Sequence, residues 1–282
     1  MHSGNATDER GVMHTTIVQL TDCHLFGDES AYLYGVNTEK SYQAVLQLIR
    51  EECPKIDLLL ATGDIAHDGS RQAYRRFVSG VEQIATAVSW LPGNHDSIDV
   101  MTTCSDRSLL AKKAIDLGNW CVLLLDSHIE GELRGRLAEE ELQFLQNELN
   151  TTDAEHVLIS MHHHPASINS PWLDPHRVEN GESLFAVVDR FPSVRVILFG
   201  HVHQQFECTR KGVRLMGAPS TCCQFVSGMR RPPIDDKLPG YRWLRLSNSG
   251  EVESGISRVT DVQFKPDLEQ VSGQRSKRDD KA

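Results

Sequence analysis

Short apolar runs punctuate the chain, and most of them end in a turn carrying polar, chemically capable side chains. Ile17–Leu20 leads into Thr21-Asp22, Leu58–Ala61 into Thr62-Gly63-Asp64, and Val88–Leu91 into Pro92-Gly93-Asn94-His95-Asp96. Further on, Val122–Leu125 ends in Asp126-Ser127, Val157–Met161 in three histidines, and Val194–Phe199 in Gly200-His201. Apolar runs this short, bounded by turn residues, read as buried strands. Helical patterns lie between them. Asn37 or Thr38 caps a helix through about Arg50, with Ala44, Val45, Leu48 and Ile49 on one face, and Pro54 breaks it. Arg71–Ile84, Leu137–Leu149 and Leu184–Arg190 follow the same period. Beyond Gly200 the pattern changes, and Arg214–Met216 and Trp243–Leu246 read as strands with no helix between them. Alternating strands and helices predict a layered α/β fold, whose ligands bind at the carboxyl ends of the strands.

The 282 residues suit one large domain or two small ones, and 39% hydrophobic residues suffice for a core. The first and last stretches are polar, so 1–14 and 267–282 are expected to be disordered tails around one domain over 15–266. Met13 offers an alternative start just before the first strand. Lys+Arg number 29 against 39 Asp+Glu, a net charge of −10, which argues against a nucleic-acid polymer as partner. No apolar run approaches the roughly 18 residues of a membrane span, so no membrane partner is expected. The opening MHSGNATDERG lacks the apolar stretch of a secretory signal. Cys23, Cys53, Cys104, Cys121, Cys208, Cys222 and Cys223 are odd in number, and no pair has zinc-knuckle spacing. They read as free thiols in a reducing cytoplasm. Nothing in the sequence indicates the oligomeric state.

Five strand ends deliver Asp22 and His24, Asp64, Asn94 and His95, His162, and finally His201 and His203. Singly, Asp and Asn at such positions are ordinary turn and cap residues. Two Asp, one Asn and four His together suit a pair of divalent first-row ions such as Fe, Mn, Zn or Co, whereas Mg or Ca would prefer more oxygen donors. Asp22-Cys23-His24 and His201-Val202-His203 share an alternate spacing that, in extended chain, points both donors one way and Cys23 inward. His163 and His164 read as neighbours of the site or rim residues, while His67, His128 and His176 read as isolated surface or turn histidines. Gly63 and Gly93 provide tight turns, and Cys222-Cys223 reads as a buried or hinge pair. The Pro-rich RRPPIDDKLPG reads as a loop near the site.

In this order the blocks Asp22-Cys23-His24, Gly63-Asp64, Gly93-Asn94-His95-Asp96, His162 and Gly200-His201-Val202-His203 resemble the calcineurin-like metallophosphoesterases. The segments TDCHLFGDES, GVNTEKSYQAVL, ATGDIAHDGS, WLPGNHD, HHHP, SPWLD, GHVHQ and PSTCCQF look closer still to its bacterial class III 3′,5′-cyclic-AMP phosphodiesterases, from about Thr16 to Pro266. That resemblance implies a four-layer α/β/β/α sandwich flanked by helices. It implies two divalent ions, Fe2+ and/or Mn2+, with Zn2+ or Co2+ as substitutes. Asp22, His24, Asp64 and His203 would hold one ion, and Asp64, Asn94, His162 and His201 the other. Nucleotide contacts map onto His24, Asp64, Asn94, His95 and His203. His95 would assist the leaving oxygen, with Asp96 orienting it. The implied reaction is hydrolysis of cyclic AMP to 5′-AMP by a hydroxide held between the ions, lowering the cyclic AMP level. Its alternative is a related metallophosphodiesterase acting on 2′,3′-cyclic nucleotides or glycerophosphodiesters. A non-catalytic module of the same fold would be expected to lose some of these residues. In SPWLD, Trp172 is either a stacking surface for the nucleotide or a core aromatic.

Overall fold

The computed structural model describes residues 6–7, 13–104, 112–228 and 234–266. In chain order the strands of the first half are β1 (Ala6–Thr7), β2 (Met13–Leu20), β3 (Tyr32–Leu33), β4 (Val36–Asn37), β5 (Leu58–Ala61), β6 (Val88–Trp90), β7 (Ala114–Asp116) and β8 (Trp120–Leu124). The second half adds β9 (His156–Met161), β10 (Val194–Phe199), β11 (Phe206–Arg210), β12 (Val213–Gly217), β13 (Gln224–Phe225), β14 (Ile234–Asp235), β15 (Gly240–Ser247) and β16 (Val252–Arg258). The helices are α1 (Thr38–Glu52), α2 (Arg71–Val81), α3 (Ile98–Cys104), α4 (Glu139–Thr151) and α5 (Gly181–Val188).

Two six-stranded sheets stack face to face. One runs β16-β15-β2-β5-β6, with β1 added to β2; the other runs β11-β12-β10-β9-β8-β7. β2, β5 and β6 are parallel, as are β8, β9, β10 and β12, while the outer strands β16, β11 and β7 are antiparallel to their neighbours. The central strands are apolar on both faces because both faces are covered. Leu58 and Leu60 of β5 point into the layer between the sheets with Trp120, Val122, Leu158, Val196 and Leu198. Leu59 and Ala61 of the same strand point outward into a cluster with Tyr42, Val45 and Ile49 of α1 and Tyr74 and Phe77 of α2. Leu123, Ile159 and Ile197 mirror them under Leu145 of α4 and Leu184 of α5. The order helix, sheet, sheet, helix is the expected four-layer sandwich.

α1 begins where Asn37 Oδ1 accepts from the Lys40 N–H at 2.8 Å, an N-cap. Its core face centres on Tyr42, Val45, Leu46 and Ile49, with Ala44 and Leu48 at the edge, and Tyr42 Oη donates to the Phe77 carbonyl at 2.8 Å, tying α1 to α2. α2 stops at Val81, short of Ile84, and α3, β7, β11 and β16 are additions to the elements expected. β2 starts at Met13, where Ala6 and Thr7 pair with His14 and Met13, so strand structure reaches into the stretch expected as a tail. The remaining tail residues lie outside the described residues, as do 229–233 of the Pro-rich stretch.

Candidate metal centre

The site is built where β2, β5 and β6 of one sheet and β9 and β10 of the other end along a common edge. The strand ends are stitched together through the backbone. Asp22 N–H donates to Gly63 O (3.0 Å), His24 N–H to Asp64 O (2.9 Å), Leu25 N–H to Ile65 O (2.9 Å) and His67 N–H to Leu25 O (2.8 Å). The second sheet joins through Gly200 N–H to His162 O (3.0 Å) and through His201 N–H to both oxygens of Asp22 (3.1 and 3.0 Å).

The chain here is not extended, contrary to the alternate-spacing expectation. Asp22, His24, Asp64, His201 and His203 all sit at positive φ, between 46° and 66°. Each such residue costs on the order of 1–3 kcal/mol, and such conformations concentrate where function holds the backbone. The paired donors still converge, because left-handed turns on either side of Cys23 and Val202 bury those two residues.

The side chains meet as acceptors facing acceptors. His203 Nδ1 is engaged by the Cys223 carbonyl at 2.9 Å, which leaves Nε2 bare. That Nε2 faces His24 Nε2 at 3.0 Å and Asp22 Oδ1 at 3.2 Å. His162 Nδ1 is likewise engaged by Thr62 O at 2.8 Å, and its Nε2 faces Asn94 Oδ1 at 3.2 Å and Asp64 Oδ1 at 3.5 Å. His24 Nε2 lies 3.7 Å from the other Asp64 oxygen, Oδ2. His201 Nε2 is buried without a hydrogen-bond partner. Buried lone pairs collected this way are costly unless a cation satisfies them, so this donor set fits divalent metal. Asp64 offers one oxygen to each group.

At His24 and His201 the protonation direction matches a bare donor, whereas at the His162–Asp64 pair a proton holds the place a cation would take. Burial, with the neighbouring histidines, holds His24 and His201 well below the usual imidazole range, so both are neutral donors. Burial also pulls on His162, but the Asp64 carboxylate outweighs it and pushes the ring up to about 9. Burial would raise Asp64, yet His162 and the other rings hold it well below the carboxylate range. This pair attracts positive charge between its members, whether proton or metal ion, so metal uptake displaces a proton there.

His95 lies beside this cluster. Its backbone N–H donates to Asp64 Oδ1 at 2.9 Å, and its ring meets His24 edge-on at 4.9 Å. Asp96 does not orient that ring. Its carboxylate accepts from the backbone N–H groups of Gly93 (2.9 Å), Ala66 (2.9 Å) and Ile65 (3.2 Å) and from Tyr74 Oη (3.0 Å). Three amides from two loops and the Tyr74 hydroxyl of α2 saturate it, so it fastens the Asp64 loop to the Asn94 loop and to α2. Burial and the Asp64 charge push it up to about 6, against the pull of those three amides.

Other histidines moved from their expected places. His67 is no isolated surface residue: its ring stacks on His95 at 4.6 Å, and its Nδ1 lies 3.1 Å from His24 Nδ1. Burial and His95 lower it to about 4. His176 lines the cleft over the site, and the His128 side chain is almost fully buried. His163 and His164 are fully buried rather than at the rim, with His163 Nδ1 at 2.9 Å from Ser127 Oγ. All seven cysteines are free, and Cys222 and Cys223 are buried. The cleft has a volume of about 230 Å³, and Trp172 is in its wall.

A profile described as calcineurin-like phosphoesterase matches residues 15–205, which include every candidate ligand. The chain belongs to the calcineurin-like phosphoesterase family. Among similar proteins, the 3′,5′-cyclic adenosine monophosphate phosphodiesterase CpdA of Pseudomonas aeruginosa is 40% identical, covering 95% of this chain and 97% of the relative. The protein of the same name from Escherichia coli (strain K12) is 39% identical over 91% of this chain and 94% of its own. The crystal structure of a dimetal phosphatase from Danio rerio superposes with a TM-score of 0.58 at 16% identity, covering 87% of this chain and 99% of that one, which shows the shared fold. No helix among the described residues is long and apolar enough to cross a membrane.

Proposed function

We propose that this phosphoesterase hydrolyses 3′,5′-cyclic AMP to 5′-AMP in the cytoplasm, with two divalent cations, Fe2+ and/or Mn2+, and with Zn2+ or Co2+ as workable substitutes. One observation carries the reading: buried, bare acceptor atoms from both sheets gather on the two oxygens of Asp64, in a chain 39–40% identical to proteins named cyclic AMP phosphodiesterases. The free cysteines favour the cytoplasm.

Asp22, His24, Asp64 and His203 would hold one cation, and Asp64, Asn94, His162 and His201 the other. When bound, the cations would supply Lewis acidity at the phosphoryl oxygens and lower the pKa of water. The chain's own residues do the rest. His24, Asp64, Asn94, His95 and His203 contact the substrate. The His95 backbone and the Asp96 staple fix Asp64 and the loop that carries His95. A water oxygen adds to phosphorus while the bond from phosphorus to the ribose 3′-oxygen breaks; the His95 ring, beside the cluster, donates the proton that the 3′-oxygen takes up, and the proton shed by the water passes to solvent, from which the ring is reprotonated. The net charge of −10 does not oppose an anionic substrate, because charge within the site sets the local field.

The test is hydrolysis by metal-stripped protein reloaded with Fe2+ or Mn2+, comparing 3′,5′-cyclic AMP with its 2′,3′ isomer and a glycerophosphodiester. Metal-dependent release of 5′-AMP, fastest from the 3′,5′ isomer, is expected. Preference for either of the other substrates would overturn the cyclic AMP assignment and leave the metal centre standing.

A further inference from the structure

The cleft has two unlike walls. One is the candidate ligand set with His95. The other comprises Leu33, Tyr34, Leu133, Trp172, His176 and Phe225. Phosphoryl transfer needs charge and donors, which the first wall supplies, and has no use for apolar, aromatic lining beside it. Leu133 and Tyr34 are 53% and 38% exposed. Large apolar side chains left open beside a polar site mark a place for the apolar part of a ligand.

The backbone at Tyr34 is an independent observation. β3 and β4 are joined by Tyr34-Gly35 alone, with φ of 50° and 83°. Two-residue hairpin turns with positive φ at both positions favour Asn-Gly or Asp-Gly. A bulky aromatic at the first position is an outlier, so the hairpin retains a ring where its own folding favours Asn. The same lining includes a run of rings leading out from a candidate ligand. His203 stacks on Phe225 at 4.2 Å and 18°, Phe225 meets Trp172 edge-on at 4.9 Å and 87°, and Trp172 meets His176 at 6.4 Å. Asp174 holds the Trp172 loop by accepting from Ser167 Oγ (2.6 Å) and Ile168 N–H (2.9 Å).

We propose that Tyr34 and Trp172 hold the purine base of the substrate by stacking, and so set the preference for a nucleotide over a bare cyclic phosphodiester. This rests on the cyclic-nucleotide reading above. A base between aromatic faces is bound without a hydrogen-bond code, so the clamp contributes to KM and leaves the chemical step to the first wall.

The test uses the full chain reloaded with Mn2+ and two substrates: 3′,5′-cyclic AMP, and methyl ribofuranoside 3′,5′-cyclic phosphate, which keeps the strained diester and lacks the base. Tyr34→Asn is the informative variant, because Asn suits the turn and preserves the hairpin. Its melting temperature should equal or exceed that of the wild type. Its KM for cyclic AMP should rise about fivefold to a hundredfold, the size of one stacking contact, with kcat and the base-free substrate unchanged. Tyr34→Phe should restore the wild-type KM, and Trp172→Leu should raise it as Tyr34→Asn does. Robust turnover of cyclic AMP with an unchanged KM in Tyr34→Asn would overturn the clamp alone. Equal losses on both substrates would do the same, assigning the hairpin to shaping the metal site. A wild type that cleaves the base-free diester and not cyclic AMP would overturn the function and the clamp together.

Discussion

Gly63→Ala tests whether the backbone beneath Asp64 is shaped for the metal centre. Gly63 sits at φ +93°, and a Cβ there would lie 2.5 Å from His162 Nδ1 and 2.7 Å from the Gly93 nitrogen. Ordinary contact begins at 3.4 Å, so the imidazole must retreat by about 0.9 Å. Metal ligands tolerate about 0.2 Å, and misplacement near 1 Å costs on the order of 100-fold in rate. The positive φ adds about 1–2 kcal/mol of backbone strain and the overlap about 1–3 kcal/mol. Together these lower the melting temperature by on the order of 5–15 °C. Gly118→Ala is the matched control: it also has positive φ, +80°, and nothing within 4 Å of the added Cβ. It should lose only the strain contribution and keep metal and turnover. Metal content by mass spectrometry, thermal melts and cyclic AMP hydrolysis read all three quantities. Gly63→Ala with two bound metal equivalents and wild-type turnover would refute the reasoning.

Asp96→Asn should destabilise by about 1–3 kcal/mol, because an amide turns N–H toward at least one backbone donor while relieving some charge repulsion with Asp64; a melt that does not move while kcat falls would restore the orienting role for His95. His95→Ala should cut kcat about 10²–10⁴-fold with metal content intact, and loss of metal would contradict its place outside the ligand set. Asp174 is held down to about 2, burial opposing and His164, Ser167 and the Ile168 amide prevailing. A depressed carboxyl contributes stability above its unfolded value of about 3.9 that is lost as pH falls toward 2. Acid unfolding of Asp174→Asn should therefore be less steep between pH 4 and 2 than that of wild type, and identical profiles would remove this contribution.

The strand ends were legible because the central strands finish in short apolar runs, such as Ile17–Leu20 and Leu58–Ala61, that stop at a polar turn residue. Edge strands were not. β11 and β16 carry Glu, Thr, Ser and Arg on surfaces that remain partly exposed, so neither period nor composition marks them. His67 escaped because its contacts arise when the chain turns at Asp64 and pairs with the 22–25 segment, 43 residues away in sequence from His24. Asp96 misled because adjacency to His95 suggests a dyad, whereas the turn aims its carboxylate back at the amides of Gly93, Ile65 and Ala66. The αL backbone at Asp22, His24, His201 and His203 had only a weak signature, because Asp and His are enriched at positive φ yet adopt it in a minority of cases.

The central claim is that two cations share Asp64. Crystals of metal-stripped protein soaked in Mn2+ and measured for anomalous scattering test it directly. The account predicts two peaks about 3.5–4 Å apart, one beside Asp22, His24 and His203, the other beside Asn94, His162 and His201, with the Asp64 carboxylate between them. A single peak, or two peaks that do not share Asp64, would contradict it.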